Sequence, residues 1–265
     1  ALDDRLRLDV WRAPTDNDEG APWLPRSRTA PRWRKLGLHR MRHRTEAVET
    51  DGASVTVRTR VAPAATDLAL RTVYRWTATE EDLRLTVTVE PEGDWPGTLP
   101  RMGLRFGLPG TFGRIEWFGG GPGEAYPDSR AASMLGRHRS GVDALQTPYV
   151  RPQENGARAD VRWAVLRPDE RGSGLRVEAV SAPFWLTARR WTSEHLTAAR
   201  HTTDLVPTGT VWVNLDHAQH GLGSASCGPG VLPEHRLTPE AAVFSMVFSE
   251  VSAADGKENR GGSST

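Results

Sequence analysis

Residues 83–89 read Leu-Arg-Leu-Thr-Val-Thr-Val. Leu83, Leu85, Val87 and Val89 fall on one side of an extended chain, and Arg84, Thr86 and Thr88 on the other. A period of two with one polar face is the pattern of a half-buried antiparallel strand. The same alternation holds for Val55, Val57 and Thr59 against Thr56 and Arg58, and Leu68 to Trp76 is a further run of strand formers. The turn Thr79–Asp82 joins two of these strands. Pro91 to Pro100 is a loop carrying Trp95, after which Met102 to Leu108 resumes a strand. Further strand-like runs are Leu6–Trp11, Ile115–Phe118, Val161–Leu166, Leu175–Val180, Phe184–Arg190, Val211–Leu215 and Val243–Phe248. Helix is expected in two places only. Trp33–His43 has Leu36 and Arg40 four apart, and Thr192–Arg200 has Ser193 as its cap with Leu196, Ala199 and Arg200 at helical spacing. A dozen or more strands with little helix predict an all-β fold, a large antiparallel sandwich.

Composition narrows the functional classes. The 265 residues suffice for one large β domain or two ordinary ones. A net charge of +1 gives no electrostatic case for nucleic acid or an anionic membrane as partner. No run approaches the ~20 apolar residues of a membrane span, and no leader is evident, so a cytoplasmic protein is expected. Cys227 is the single cysteine, which excludes an internal disulfide and a Cys-rich metal site. The ten tryptophans serve either a core or sugar-stacking platforms. Residues 1–252 are expected to form the folded domain, and Ala253–Thr265, polar and rich in Gly and Ser, a disordered tail.

Chemistry-bearing residues cluster in three loops. Gly119-Gly120-Gly121-Pro122-Gly123 breaks a strand and is followed at once by Glu124, Tyr126, Asp128 and Arg130. Arg151-Pro152-Gln153-Glu154-Asn155-Gly156 precedes another strand. These loops read either as a recognition or interface surface or as well-capped turns. Arg12–Gly20, with Asp16, Asn17 and Asp18, reads as an Asx-type turn, with oxygen ligands for a hard cation as the alternative. Glycoside hydrolysis needs two carboxylates about 5–9 Å apart, and Glu124 with Glu154 is the pair the loops suggest. Asp128 with Arg130 reads as a local ion pair or turn anchor. His217 and His220 lack the pattern of a metal site. No nucleophile elbow, P-loop or dinucleotide fingerprint occurs.

Several stretches together carry a family resemblance. They are WRAPTDNDEG (11–20), WFGGGPGEAYPDSRAAS (117–133), PYVRPQENGARADVRW (148–163), FWLTARRWTSEHLTAARHTTDL (184–205), VNLDHAQHGLGSASCGPGV (213–231) and FSMVF (244–248). In this order and spacing they resemble the C-terminal small-chain domain of LacZ-type β-galactosidases, in glycoside hydrolase family 2, from Trp11 to about Ser249. The resemblance implies a β supersandwich related to galactose mutarotase. It implies that the catalytic glutamates lie in a preceding TIM-barrel domain, and that the strand-like start at Leu6 is a cut from a longer chain. Glu124 and Glu154 then lose their appeal as catalysts. The small chain would complete the substrate pocket, its wall including Cys227, Gly121, Glu124 and Tyr126. At the position of Cys227 the family carries an aromatic side chain that stacks near the sugar, and a thiol offers no π face for that role. Asp16, Asn17, Asp18, Asp128, Arg130, Glu154 and Asn155 would lie on loops facing the other domains or a separate large fragment. The complete enzyme would take a galactoside, use Mg²⁺ and Na⁺ held by other parts, and form a homo-oligomer; this chain would hold no metal itself. The alternatives are a free-standing carbohydrate-binding or mutarotase-like protein and a purely structural subunit.

Overall fold

The alternation at residues 83–89 becomes β5 (Asp82–Glu92), in which Leu85, Val87 and Val89 are buried and Thr86 and Thr88 partly exposed. The fold is taken from a computed structural model that describes residues 2, 4–20, 28–169, 172–223 and 230–253. β5 pairs on one side with β4 (Ala69–Ala78) and on the other with β14 (Ala242–Val251). They belong to a nine-stranded sheet that also holds β2 (Arg42–Asp51), β3 (Ser54–Ala62), β7 (Arg114–Gly121), β8 (Met134–Gly141), β10 (Trp163–Arg167) and β11 (Gly174–Ala179). Its order is β2-β3-β4-β5-β14-β11-β10-β7-β8. A five-stranded sheet is built from β1 (Asp4–Asp9), β6 (Arg101–Pro109), β9 (Arg158–Val161), β12 (Phe184–Arg189) and β13 (Thr210–Gln219), in the order β1-β6-β13-β12-β9. Every pairing in both sheets is antiparallel.

The sheets bury their apolar faces against each other. Leu104, Phe106, Leu186, Val213 and Leu215 from the smaller sheet share one core with Leu85, Val87, Phe244, Met246 and Phe248 from the larger. The Phe106 and Phe248 rings meet edge to face across the gap, 6.3 Å between centroids. Apolar burial of this extent is the main favourable term in folding. The far side of the five-stranded sheet is unusual. β6 is buried from Arg101 to Leu108, so its polar face, with Arg101 and Arg105, is also covered. Close approach of the backbones helps: at Gly103 a β-carbon would lie 2.6 Å from the Leu215 carbonyl oxygen.

Local readings change in three places. The stretch expected as one helix from Trp33 to His43 is α2 (Ala30–Lys35), a 3-10 turn at Leu38–Arg40 and the start of β2. Gly37, at φ +76°, is the break, because the left-handed conformation ends a helix. The second expected helix is α3 (Ser193–Ala198), but its cap is Thr192, whose side chain accepts from the His195 N–H. The run Val161–Leu166 is not one strand: β9 ends at Val161 in the smaller sheet and β10 begins at Trp163 in the larger. Apart from Ala253, the expected tail lies outside the described residues.

Candidate functional site

The motif loops are hydrogen-bonded to one another and to the chain leaving β13. In the first, α1 (Asp16–Glu19) starts from a capping box: the Asp18 N–H donates to the Thr15 hydroxyl at 3.2 Å, and the Thr15 N–H to Asp18 Oδ2 at 2.9 Å. Asp18 also receives both contacts from Arg12 Nη2, at 2.9 and 3.1 Å, and the pair is fully buried. Arg12 further donates to the carbonyls of His220 and Gly221, the latter at 2.8 Å. It thereby ties the turn to the chain leaving β13. Asp128, in the second loop, takes the backbone N–H groups of Leu222 and Gly223, each at 2.8 Å. The ion pair expected between Asp128 and Arg130 does not form: Arg130 pairs with Asp160 instead, and Asp128 holds the distant Leu222–Gly223 backbone. The third loop joins the first, the Asp16 N–H donating to Gln153 Oε1 at 2.9 Å and the Glu154 N–H to the Ala13 carbonyl at 3.1 Å.

Beneath these loops lies a buried charged centre on the polar face of the five-stranded sheet. Glu154 is 1% exposed and faces Arg189 Nη2 at 2.8 Å and Arg101 Nη2 at 2.9 Å. The Tyr126 hydroxyl donates to the same carboxylate at 3.3 Å. Burial raises the Glu154 pKa, but Arg101 and Arg189 outweigh it and hold the carboxyl at about 2. Asp216 has the opposite outcome. It is 0% exposed, Arg101 Nη1 is 3.8 Å away, and burial pushes its pKa up to about 7 against the pull of that guanidinium. From its usual 3.8 up to about 7, only the folded state keeps this proton, so stability falls as pH rises through that window. Asp216→Asn is expected to remove this fall. Urea denaturation from about pH 4 to 7.5 should show the variant gaining steadily on the parent; parallel curves would refute the assignment.

A family model described as the β-galactosidase small chain matches residues 1–248. The chain belongs to the β-galactosidase small-chain family. Similar proteins agree. The β-galactosidase of Arthrobacter sp. strain B7 is 36% identical over 255 residues, which is 89% of this chain and 25% of the relative. That of Kluyveromyces lactis is 31% identical over 249 residues, 91% of this chain and 23% of the relative. For Vibrio cholerae the figures are 34%, 252 residues, 89% and 23%. The chain thus spans about a quarter of the length of these curated relatives. Among solved structures, a putative aldose 1-epimerase of Escherichia coli K12 is similar at TM-score 0.41 and 12% identity, over 78% of this chain and 68% of that one. So distant a likeness carries no inference about chemistry.

Within this small-chain domain the singled-out residues divide by burial. Asp18, Glu154, Asn155 and Tyr126 are buried inside the chain, the first three spent on Arg12, on Arg101 with Arg189, and on the Thr147 N–H. Gly121 ends β7, where a β-carbon would sit 2.9 Å from the His138 ring and 3.0 Å from the Trp117 ring. Glu124 is partly exposed and accepts from the Tyr149 hydroxyl at 2.5 Å and the Gly156 N–H at 2.6 Å. Asp16 and Arg130 are exposed, and Asn17 and Asp128 partly so. Cys227 lies outside the described residues. His217 belongs to β13 and stacks on Phe244, while His220 is buried and kept neutral by burial and by Arg12, its pKa lowered to about 3. No group of three His, Cys, Asp or Glu among the described residues is arranged to hold a metal ion, and the Arg12–Gly20 turn commits Asp18 to a guanidinium. Sequence reasoning missed Arg12, Arg101, Arg189 and Asp216 as the organising charges. Arg12 and Arg189 stand in the matching motifs, but nothing in a lone arginine distinguishes buried from solvated.

Proposed function

We propose that this small-chain domain works as part of a β-galactosidase, completing its substrate pocket and its domain assembly. The observation that carries this reading is coverage: the domain matches about a quarter of proteins named β-galactosidase. The complete enzyme would hydrolyse terminal non-reducing β-D-galactose residues of lactose-type substrates. It would transfer galactose to one glutamate and then to water, with both catalytic glutamates in the remainder of the protein. The charged centre supports that division. A general acid must hold a proton near the working pH, and Glu154, fixed at about 2 between two guanidiniums, does not. Mg²⁺ and Na⁺ would be bound by the remainder.

The partner we propose is that remainder, docked over the motif loops. Met134 and Leu135 lie opposite Gly121 and Gly120 in the β7–β8 ladder and are strongly exposed. Tyr149, bonded to Glu124, is followed by Val150 at 87% exposure. Apolar side chains beside Gly121 and Glu124 of the proposed pocket wall suit a covered surface. A homo-oligomer and a cytoplasmic location are part of the same reading; no helix among the described residues is long and apolar enough to cross a membrane. A free-standing sugar-binding or mutarotase-like role is disfavoured, because Glu154 and its arginines close the polar face of the smaller sheet to solvent.

The purified chain alone is expected to leave a nitrophenyl β-galactoside uncleaved, and the chain joined to its remainder to cleave it several orders of magnitude faster than background. Turnover by the chain alone, lost on Glu124→Gln, would overturn the proposal.

A further inference from the structure

We propose that Asp128 is a positioning residue for the galactosidase reaction. Its carboxylate locks the Leu222–Gly223 backbone to the Gly121–Asp128 loop, and so fixes the loop that carries the proposed wall residues Gly121, Glu124 and Tyr126. This rests on the reading of the domain as part of a β-galactosidase.

The geometry is that of a two-pronged clamp. Asp128 Oδ1 takes the N–H of Leu222 and Oδ2 that of Gly223, both at 2.8 Å. Hydrogen bonds to an ionised acceptor are about twice as strong as neutral ones. Gly223 has φ +105°, a conformation side chains rarely adopt. A β-carbon there would press on Asn17 Nδ2 at 3.1 Å, and one at Gly221 would lie 2.8 Å from Asp128 Cγ. The fit between strap and carboxylate therefore leaves no room for a side chain at Gly221, while Gly223 is required by its backbone conformation. Arg130, two residues on, is engaged by Asp160, and both Asp128 oxygens are taken by backbone N–H groups.

The strap is gripped from its other side by Arg12, on the carbonyls of His220 and Gly221. The His220 Nδ1 accepts from the Leu237 N–H at 3.0 Å, and the Gly221 N–H donates to the His235 carbonyl at 2.9 Å. These contacts fix the strap to the first motif loop and to residues 235–237. Asp128 supplies the link to the second loop, which is itself anchored through the Ala125 N–H on the Ala157 carbonyl and the Tyr126 hydroxyl on Glu154. A shift of the Gly121–Glu124 loop relative to the strap would move the proposed wall, where small displacements alter substrate positioning.

The experiment uses the enzyme joined to its remainder, with Asp128→Asn, Asp128→Ala and Gly221→Ala. The last keeps the carboxylate but pushes it off the strap. For aryl β-galactosides with bulky aglycones, kcat/KM should fall about tenfold in Asp128→Ala and Gly221→Ala, mainly through KM. For β-galactosyl fluoride the fall should stay under about threefold, and Asp128→Asn, with one acceptor oxygen left, should be intermediate. Hydrogen exchange at the Leu222 and Gly223 amides should accelerate in the same rank order. An equal loss on every substrate that follows thermal stability, unchanged kinetics, or undiminished amide protection would each overturn the proposal. A parent enzyme that cleaves no β-galactoside overturns the functional reading itself, before any variant is made.

Discussion

Glu154→Ala is expected to destabilise the domain by about 3–5 kcal/mol, the usual cost of removing one partner from a buried charge pair. The reason lies less in lost attraction than in what remains. Arg101 and Arg189 are both fully or nearly fully buried, with side chains 0% and 2% exposed. Neither can give up its proton at any ordinary pH. Without Glu154, Arg189 keeps a hydrogen bond to the Asn155 carbonyl, and Arg101 keeps Asp216 at 3.8 Å. Asp216 is a poor counter-ion at neutral pH, because burial pushes its pKa to about 7. The expected loss corresponds to a drop in Tm of about 10 °C for a domain of this size. The penalty also carries a pH signature. The folded pKa of Glu154 is about 2 against its usual 4.5, so its contribution is complete above about 4.5 and disappears as pH falls towards 2. Thermal unfolding at pH 7 and at pH 3 therefore should show a smaller difference between parent and variant at the lower pH. A loss under about 1 kcal/mol at pH 7 would mean that water enters the centre and solvates the arginines.

Gly103→Ala is expected to cost about 3 kcal/mol or more, at the upper end of overpacking penalties. The added methyl would overlap the Asp216 α-carbon and lie 2.6 Å from the Leu215 carbonyl oxygen. Both are backbone atoms of β13, paired with β6 at the centre of the smaller sheet, and cannot swing aside as a side chain would. Gly52→Ala provides the comparison. Gly52 has φ +55° with nothing within 4 Å of an added β-carbon, so only conformational strain of about 1 kcal/mol is expected. Chemical denaturation of both variants decides the point. Equal losses would show that β6 and β13 separate freely.

What could be read from the sequence depended on whether burial imposed a pattern. β5 and β14 alternate because one face meets the core, and both were legible to within a few residues. β2 was not. Apart from Ala47 it is exposed along its whole length, with Val48 61% exposed, so no apolar period exists to be seen. β8 has no buried residue and gives no apolar signal either. The break between β9 and β10 was hidden because both flanks of Arg162 are apolar, while the positive φ of Asp160 and the register shift between β9 and β12 leave no trace in the sequence pattern. At the site, the loops were legible as Gly, Pro and carboxylate clusters. Their partners were not, since Glu154 looks the same in sequence whether it faces solvent or two guanidiniums.

The place of β14 has a consequence for how the molecule comes into being. The larger sheet consists of two blocks, β2–β5 and β7–β8 with β10–β11, each assembled mostly from neighbours in the chain. β14 is the seam between them, bonded to β5 on one side and β11 on the other. A growing chain on the ribosome therefore carries two unfinished sheet edges until residues 242–251 have emerged. β13 imposes a similar delay on the smaller sheet, joining β6 to β12 across about a hundred residues. Non-local closure of this kind is slow, and open edges invite pairing between chains. Synthesis and concentration, as well as final stability, thus bear on how much of this protein reaches its native state.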